Sequence, residues 1–251
     1  MPPLKQLIRS GIAWIANRLI RLLGNRHLPP LTALEWKGVQ IHFSQCGEDQ
    51  IIEKIWDEYF QGRIGTYLDL GAFHPITYSN TWNLYKKGWR GINIDANPTA
   101  LERFKESRPE DQNICAAIGK EGEELLYCFY RSPATNRLIA KGDLTANLFG
   151  EEPKKITPVQ CRSLTSILDE HLPSSKTVDL MSIDCEGHEV EILSALDWDK
   201  YPPQLIALEC SHQAEGLHSF LKEKGYEFIS MTPPTHFFIL KSALKNRPSK
   251  Q

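Results

Sequence analysis

The chain has 251 residues, 41% hydrophobic and 24% charged, which suits one sizeable core and excludes a disordered chain. A net charge of −2 leaves no broad basic field for nucleic acid. Six cysteines stand singly at 46, 115, 128, 161, 185 and 210, without a C-x-x-C pair or zinc spacing, and read as reduced thiols of a cytoplasmic protein.

Residues 4 to 23 are predicted as a helix. Leu4, Ile8, Ile12, Ile15, Leu19 and Leu22 share one side, while Lys5, Arg9, Arg18 and Arg21 lie on the flanks and the far side. Arg18 and Arg21 break the apolar core that a signal peptide needs. No run of about 18 apolar residues is available to span a membrane. A basic amphipathic helix can lie peripherally on an anionic membrane, or it can pack on its own domain or a partner subunit, and these readings stay open. Residues 1–28 are therefore set apart as a basic amphipathic N-terminal helix, ended by Leu28-Pro29-Pro30.

Residues 35 to 43 are expected to form a short strand or hairpin. Glu48 to Phe60 reads as a helix, with Ile51, Ile52, Ile55, Trp56 and Tyr59 at helical spacing. Alternating units follow: strand 66–71, helix 78–87, strand 91–95, helix 98–107, and strands 113–118 and 125–130. Residues 131–160 carry Pro133, Pro153 and Pro158 and read as a long irregular loop, a feature usually functional in a compact domain. Strand 178–184, helix 188–196, strand 205–210, helix 214–224 and strands 226–230 and 236–241 complete about seven core strands, ending in an antiparallel hairpin. The alternation predicts an α/β, Rossmann-like, doubly wound seven-stranded sheet over residues 35–243, followed by a polar tail at 244–251.

The most informative stretch is Tyr67-Leu68-Asp69-Leu70-Gly71-Ala72-Phe73-His74-Pro75, followed by Gly91-Ile92-Asn93-Ile94-Asp95-Ala96-Asn97-Pro98. Both are apolar strands that end in a carboxylate or a glycine, where doubly wound sheets bind ligands. Gly71 lets the backbone approach a ligand closely. Asp95 can accept hydrogen bonds from both hydroxyls of a ribose, with Asn97 nearby. The second and third glycines of G-x-G-x-x-G are missing, which disfavours a dinucleotide and a dehydrogenase. A nucleoside cofactor without pyrophosphate, S-adenosylmethionine, fits better.

Further on, Asp184-Cys185-Glu186-Gly187-His188-Glu189 follows an apolar strand. This block, together with Phe43-Ser44-Gln45-Cys46-Gly47-Glu48-Asp49-Gln50, Asp69-Leu70-Gly71, Ser79-Asn80-Thr81, Gly88-Trp89-Arg90-Gly91-Ile92, Asp95-Ala96-Asn97-Pro98 and Leu208-Glu209-Cys210, resembles the FkbM family of S-adenosylmethionine-dependent methyltransferases. The resemblance runs over roughly residues 40 to 240. It implies a class I methyltransferase fold and O-methylation of a sugar, a glycan or a small natural-product hydroxyl. The alternative is a non-catalytic, membrane-associated binding module on the same fold. The acceptor is then a small molecule or glycan, and the absence of an N-P-P-Y or D-P-P-Y tetrapeptide weighs further against nucleic acid.

Asp69 and Gly71 are expected beside the amino-acid part of the cofactor, with a helix or loop cap as the alternative for Asp69, and Ala117 flanks adenine by position alone. Ser79 and Asn80 either cap a helix or reach the cofactor carboxylate. Asp184 lies next to the transferred methyl and is the leading catalytic candidate, with Glu186, His188, Glu209 and His212 as possible neighbours. His188 or His74 can serve as base, and the 131–160 loop is expected to cover the acceptor site. Asp184 and Glu209 end adjacent strands and form a weak alternative Mg²⁺ site, not favoured because the D-D-N ligand set of catechol-type enzymes is missing.

Overall fold

The computed structural model describes residues 4–22, 29–142, 151–210 and 214–245. His212, residues 23–28 of the N-terminal segment, 143–150 of the long loop and 246–251 of the tail lie outside them. The chain divides into two units, Met1–Ile41 and His42–Gln251.

In the first unit, helix α1 spans Leu4–Leu22. The Asn17 side chain donates to Leu31 O at 2.7 Å and accepts from Leu31 N at 2.9 Å. Ile12, Ile15, Leu19 and Leu22 are exposed. The strand or hairpin expected at 35–43 does not form. Thr32 N donates to Glu35 Oε2 and Glu35 N to Thr32 Oγ1, a reciprocal pair that folds the chain just ahead of one turn of 3₁₀ helix at Glu35–Gly38. Among the described residues no helix is long and apolar enough to cross a membrane.

The second unit opens with helix α2 (Glu48–Phe60) and strand β1 (Thr66–Leu70), followed by α3 (Trp82–Lys86), β2 (Arg90–Asp95), α4 (Pro98–Ser107) and β3 (Gln112–Cys115). Next come β4 (Ala117–Ile118), β5 (Glu124–Phe129), β6 (Arg137–Ile139), β7 (Lys155–Arg162) and helix α5 (Leu164–His171). Strand β8 (Leu180–Ile183), α6 (Glu189–Ser194), β9 (Leu205–Glu209), α7 (Ala214–Glu223), β10 (Tyr226–Thr232), β11 (Thr235–Leu240) and α8 (Lys241–Leu244) complete it.

Seven strands form the main sheet in the order β10-β11-β9-β8-β1-β2-β3. Strands β9, β8, β1, β2 and β3 run parallel, while β11 is antiparallel to both β9 and β10. Apolar side chains alternate across it, so both faces are buried. On one face Leu68, Leu70, Ile92, Met181 and Ile206 pack against Ile167 of α5, Ile192 of α6 and Leu221 of α7. On the other, Tyr67, Leu180, Ala207 and Phe237 pack against Ile52 and Trp56 of α2 and Leu84 of α3.

Three further expectations are corrected. The helix drawn over 78–87 begins only at Trp82, because Ser79 Oγ accepts from Thr81 N and Trp82 N and holds residues 71–80 as a loop. The strand drawn over 113–118 splits. Ala116 N makes the last bond to Asp95 O, and Ala117 then pairs with Cys161 in a second sheet, ordered β4-β7-β5-β6. The 131–160 segment is not irregular throughout, since it supplies β6 and most of β7 to that sheet. Helix α5 was not foreseen, although Ser163 caps it by accepting from Ser166 N at 3.1 Å.

Candidate active site

The order of the main sheet reverses between β1 and β8. Chain order runs from β1 outward to β3 on one side and from β8 to β9 on the other, beyond which β11 precedes the edge strand β10. In such sheets the crevice at the carboxyl ends beside the reversal is where ligands bind. Here Leu70 pairs with Ile183, so Gly71 and Asp184 leave the sheet side by side. A cavity of about 380 Å³ opens there, lined by Asp69, Gly71, Asp95, Ala117, Asp184 and Glu209, among others. Three non-glycine residues with positive φ also line it: Phe73 at 44°, Tyr78 at 61° and Glu186 at 54°. Each such conformation costs on the order of 1–3 kcal/mol and persists only where the surroundings enforce it.

One half of the cavity is formed by the ends of β1 and β2. Asp95 accepts from Phe73 N at 2.9 Å through Oδ2 and from Asn97 N at 2.7 Å through Oδ1. Burial pushes its carboxyl above the ordinary range, and the two N–H bonds oppose that push. Asp69 is buried and accepts from Thr81 Oγ1 at 2.5 Å. Burial raises Asp69 as well, against the opposing charge of Arg108.

Arg108 is 0% exposed and is the residue that fastens this half. Its guanidinium donates to Pro75 O through both Nε and Nη2, to Ser79 Oγ at 2.7 Å and to Thr81 Oγ1 at 2.8 Å. The loop between β1 and α3 is thereby tied to the end of α4. Asn80 donates to Ser182 Oγ at 3.1 Å and lines the cavity, as does Ala117.

The other half is acidic. Ile183 pairs with Leu208, so Asp184 and Glu209 end adjacent strands. Asp184 opens to the cavity, yet protein atoms crowd it on its remaining sides. That crowding, followed by a hydrogen bond to Glu209 and the charge of Glu209, holds the Asp184 proton well above the carboxylate range. The pair thus shares a proton, with Asp184 as donor. Glu189 accepts from Cys185 N at 3.2 Å and Gly187 N at 3.1 Å and so serves the turn. Glu186 is pushed up to about 7 by burial first, then by Glu209 and Glu189, with Arg137 pulling the other way. The second sheet closes this side with Tyr127 and residues 132–138.

Not every anticipated residue reaches the cavity. His74 does not line it, and its Nδ1 is occupied by Ile76 N at 3.1 Å and Thr77 N at 3.0 Å. His188 also stays out of the lining. Its Nδ1 lies 3.7 Å from Glu191 Oε2, and its Nε2 is buried beside Gly119 without a hydrogen-bond partner among the described residues. Asn97 turns away because its Oδ1 caps α4, accepting from Thr99 N at 3.1 Å. Ser79 borders the cavity, but its hydroxyl serves the α3 start and Arg108. Among the described residues no group of three or more His, Cys, Asp or Glu is arranged to hold a metal ion. Arg108, Tyr127 and Arg137 were not anticipated. Of these, only Arg137 carried a signal, as a basic residue inside the loop already suspected of facing the acceptor.

Residues 69–228 match the family described as "Methyltransferase FkbM domain". The chain belongs to the FkbM methyltransferase family. The matched segment begins at Asp69 and includes every strand end that lines the cavity. No match was found among curated proteins. Among solved structures, the crystal structure of monomeric WbdD is similar with a TM-score of 0.43 at 14% identity, covering 82% of this chain and 44% of that one. The FkbM chain thus spans less than half the length of that structure.

Proposed function

We propose that this FkbM domain binds S-adenosylmethionine across the β1 and β2 ends and transfers its methyl group to a hydroxyl of a sugar, a glycan or a small natural product. The observation that carries the reading is Asp95. It ends β2 beside the sheet reversal, in a crevice whose first turn has Gly71 but lacks the further glycines a pyrophosphate needs. The strand order and the helices on both faces support the class I methyltransferase type.

The residues fit the cofactor. A carboxylate offers about four acceptor positions, and the backbone N–H groups of Phe73 and Asn97 use two on Asp95. Capacity remains for the two hydroxyls of a ribose. Asp69 lines the cavity next to Gly71, where a carboxylate suits an ammonium group. Ala117 offers an apolar contact for adenine.

The cofactor, when bound, supplies an electrophilic methyl on a sulfonium. The protein holds the acceptor oxygen in line and removes its proton. Asp184 keeps its own proton and orients the acceptor together with Glu209, a role that fits a metal-free route. Calorimetry with S-adenosylhomocysteine and with NAD tests the reading. Binding of the former and not the latter is expected, and the reverse would sink it.

A further inference from the structure

We propose that Glu186 is the general base of the acceptor side, the carboxylate that takes the proton of the methylated hydroxyl. This rests on the methyl-transfer reading above. Among the described residues five carboxylates line the cavity: Asp69, Asp95, Asp184, Glu186 and Glu209. Four are engaged. Asp69 accepts from Thr81, Asp95 from two backbone N–H groups, and Asp184 and Glu209 hold each other. Glu186 has no hydrogen-bond partner among the described residues, so its oxygens are available to a ligand.

Its position is also enforced. Glu186 holds φ at 54° in the turn between β8 and α6, a conformation that a side chain other than glycine adopts only under constraint. Glu189 fixes that turn from within by accepting from Cys185 N and Gly187 N. The charged groups that act on Glu186 are Glu209 from β9, Glu189 from α6 and Arg137 from β6, and the protonated Asp184 faces it from the end of β8. Their balance with burial leaves the carboxyl at about 7, where a base both accepts and releases a proton readily. In the step itself, the acceptor oxygen bonds to the methyl carbon and the carbon–sulfur bond breaks, its electron pair going to sulfur. The hydroxyl proton ends on Glu186, so atoms and charge balance.

The test uses the full chain and E186Q. Carbon-13 labelling at glutamate Cδ identifies the Glu186 resonance by its loss in E186Q, and a titration from pH 4 to 9 follows it. A midpoint near 7 is expected. A midpoint below about 5, in the ordinary glutamate range, overturns the proposal. S-adenosylhomocysteine affinity of E186Q is expected within about threefold of wild type, and a loss of tenfold or more would make Glu186 a cofactor ligand instead. Methyl transfer from S-adenosylmethionine to glycerol, a plain hydroxyl probe, should fall by on the order of a hundredfold or more in E186Q. A wild-type rate in E186Q overturns the proposal, and where glycerol is not methylated the titration alone decides. Failure of wild type to bind S-adenosylhomocysteine would count against the cofactor reading, while the titration still reads Glu186 directly.

Discussion

Gly71 sits so close to the backbone of Asp184 that a Cβ on it would lie 1.8 Å from the Asp184 carbonyl oxygen. Its φ of 72° adds a conformation that other residues enter at a cost. Gly71→Ala should therefore push β1 and β8 apart at their carboxyl ends. A loss of at least about 3 kcal/mol in urea denaturation is expected. An unchanged midpoint would show that the two strand ends are not held this tightly.

Asp95 has two duties, holding the turns at Phe73 and Asn97 and offering its remaining lone pairs to a ligand. Asp95→Ala should weaken S-adenosylhomocysteine binding by about tenfold to a hundredfold, the loss expected for a charge-assisted pair of hydrogen bonds. Calorimetry on the folded variant measures it, and unaltered affinity would remove the ribose role.

The proton shared by Asp184 and Glu209 makes stability depend on pH. Asp184 titrates well above the carboxylate range in the folded chain and near 3.9 when unfolded. Between those limits the folded state binds more protons, so this group's contribution is full at low pH and is lost as pH rises through the folded value. Asp184→Asn keeps a donor toward Glu209 and cannot ionise. Its stability should fall less steeply from pH 4 to 8 than that of wild type. Parallel urea midpoints for the two proteins across that range would contradict the shared proton.

Arg108 is a buried cation balanced by Asp69 and Asp111 and bonded to three residues of the loop between β1 and α3. Arg108→Met strips that loop of its donors and leaves the carboxylates unbalanced. A cost of about 3–5 kcal/mol is expected, with Arg108→Lys intermediate, since lysine keeps the charge and loses the fork. Wild-type stability in Arg108→Lys would mean that the fork geometry contributes nothing.

The strand-end half of the cavity was legible because its determinants are local. Apolar runs that stop at Asp69-Leu70-Gly71 and Asp95 announce parallel strands and their carboxyl ends within a few residues. The Arg108 clamp was not legible, since its partners Pro75, Ser79 and Thr81 lie 27 to 33 residues away and only folding assembles them. His188 misled for the opposite reason. It stands two residues from Glu186 in sequence, but the turn that presents Glu186 to the cavity carries the imidazole toward Gly119. Prolines at 133, 153 and 158 suggested irregular chain, yet Pro158 sits within β7, paired with Leu126 of β5. Helix α5 escaped because its apolar positions, Leu164, Ile167 and Leu168, follow a strand without a glycine or proline to mark the boundary.

The two sheets contribute separate walls of one cavity. The carboxyl ends of β1 and β2 form one, and the stretch from Tyr127 to Leu138, carried on the smaller sheet, forms another. That stretch pairs with strands of its own sheet rather than with β1 or β2. Residues 132–138 can therefore change without altering the pairing of β1 with β2 and β8. One wall of the cavity can thus drift between lineages while the strand ends that frame the other stay fixed.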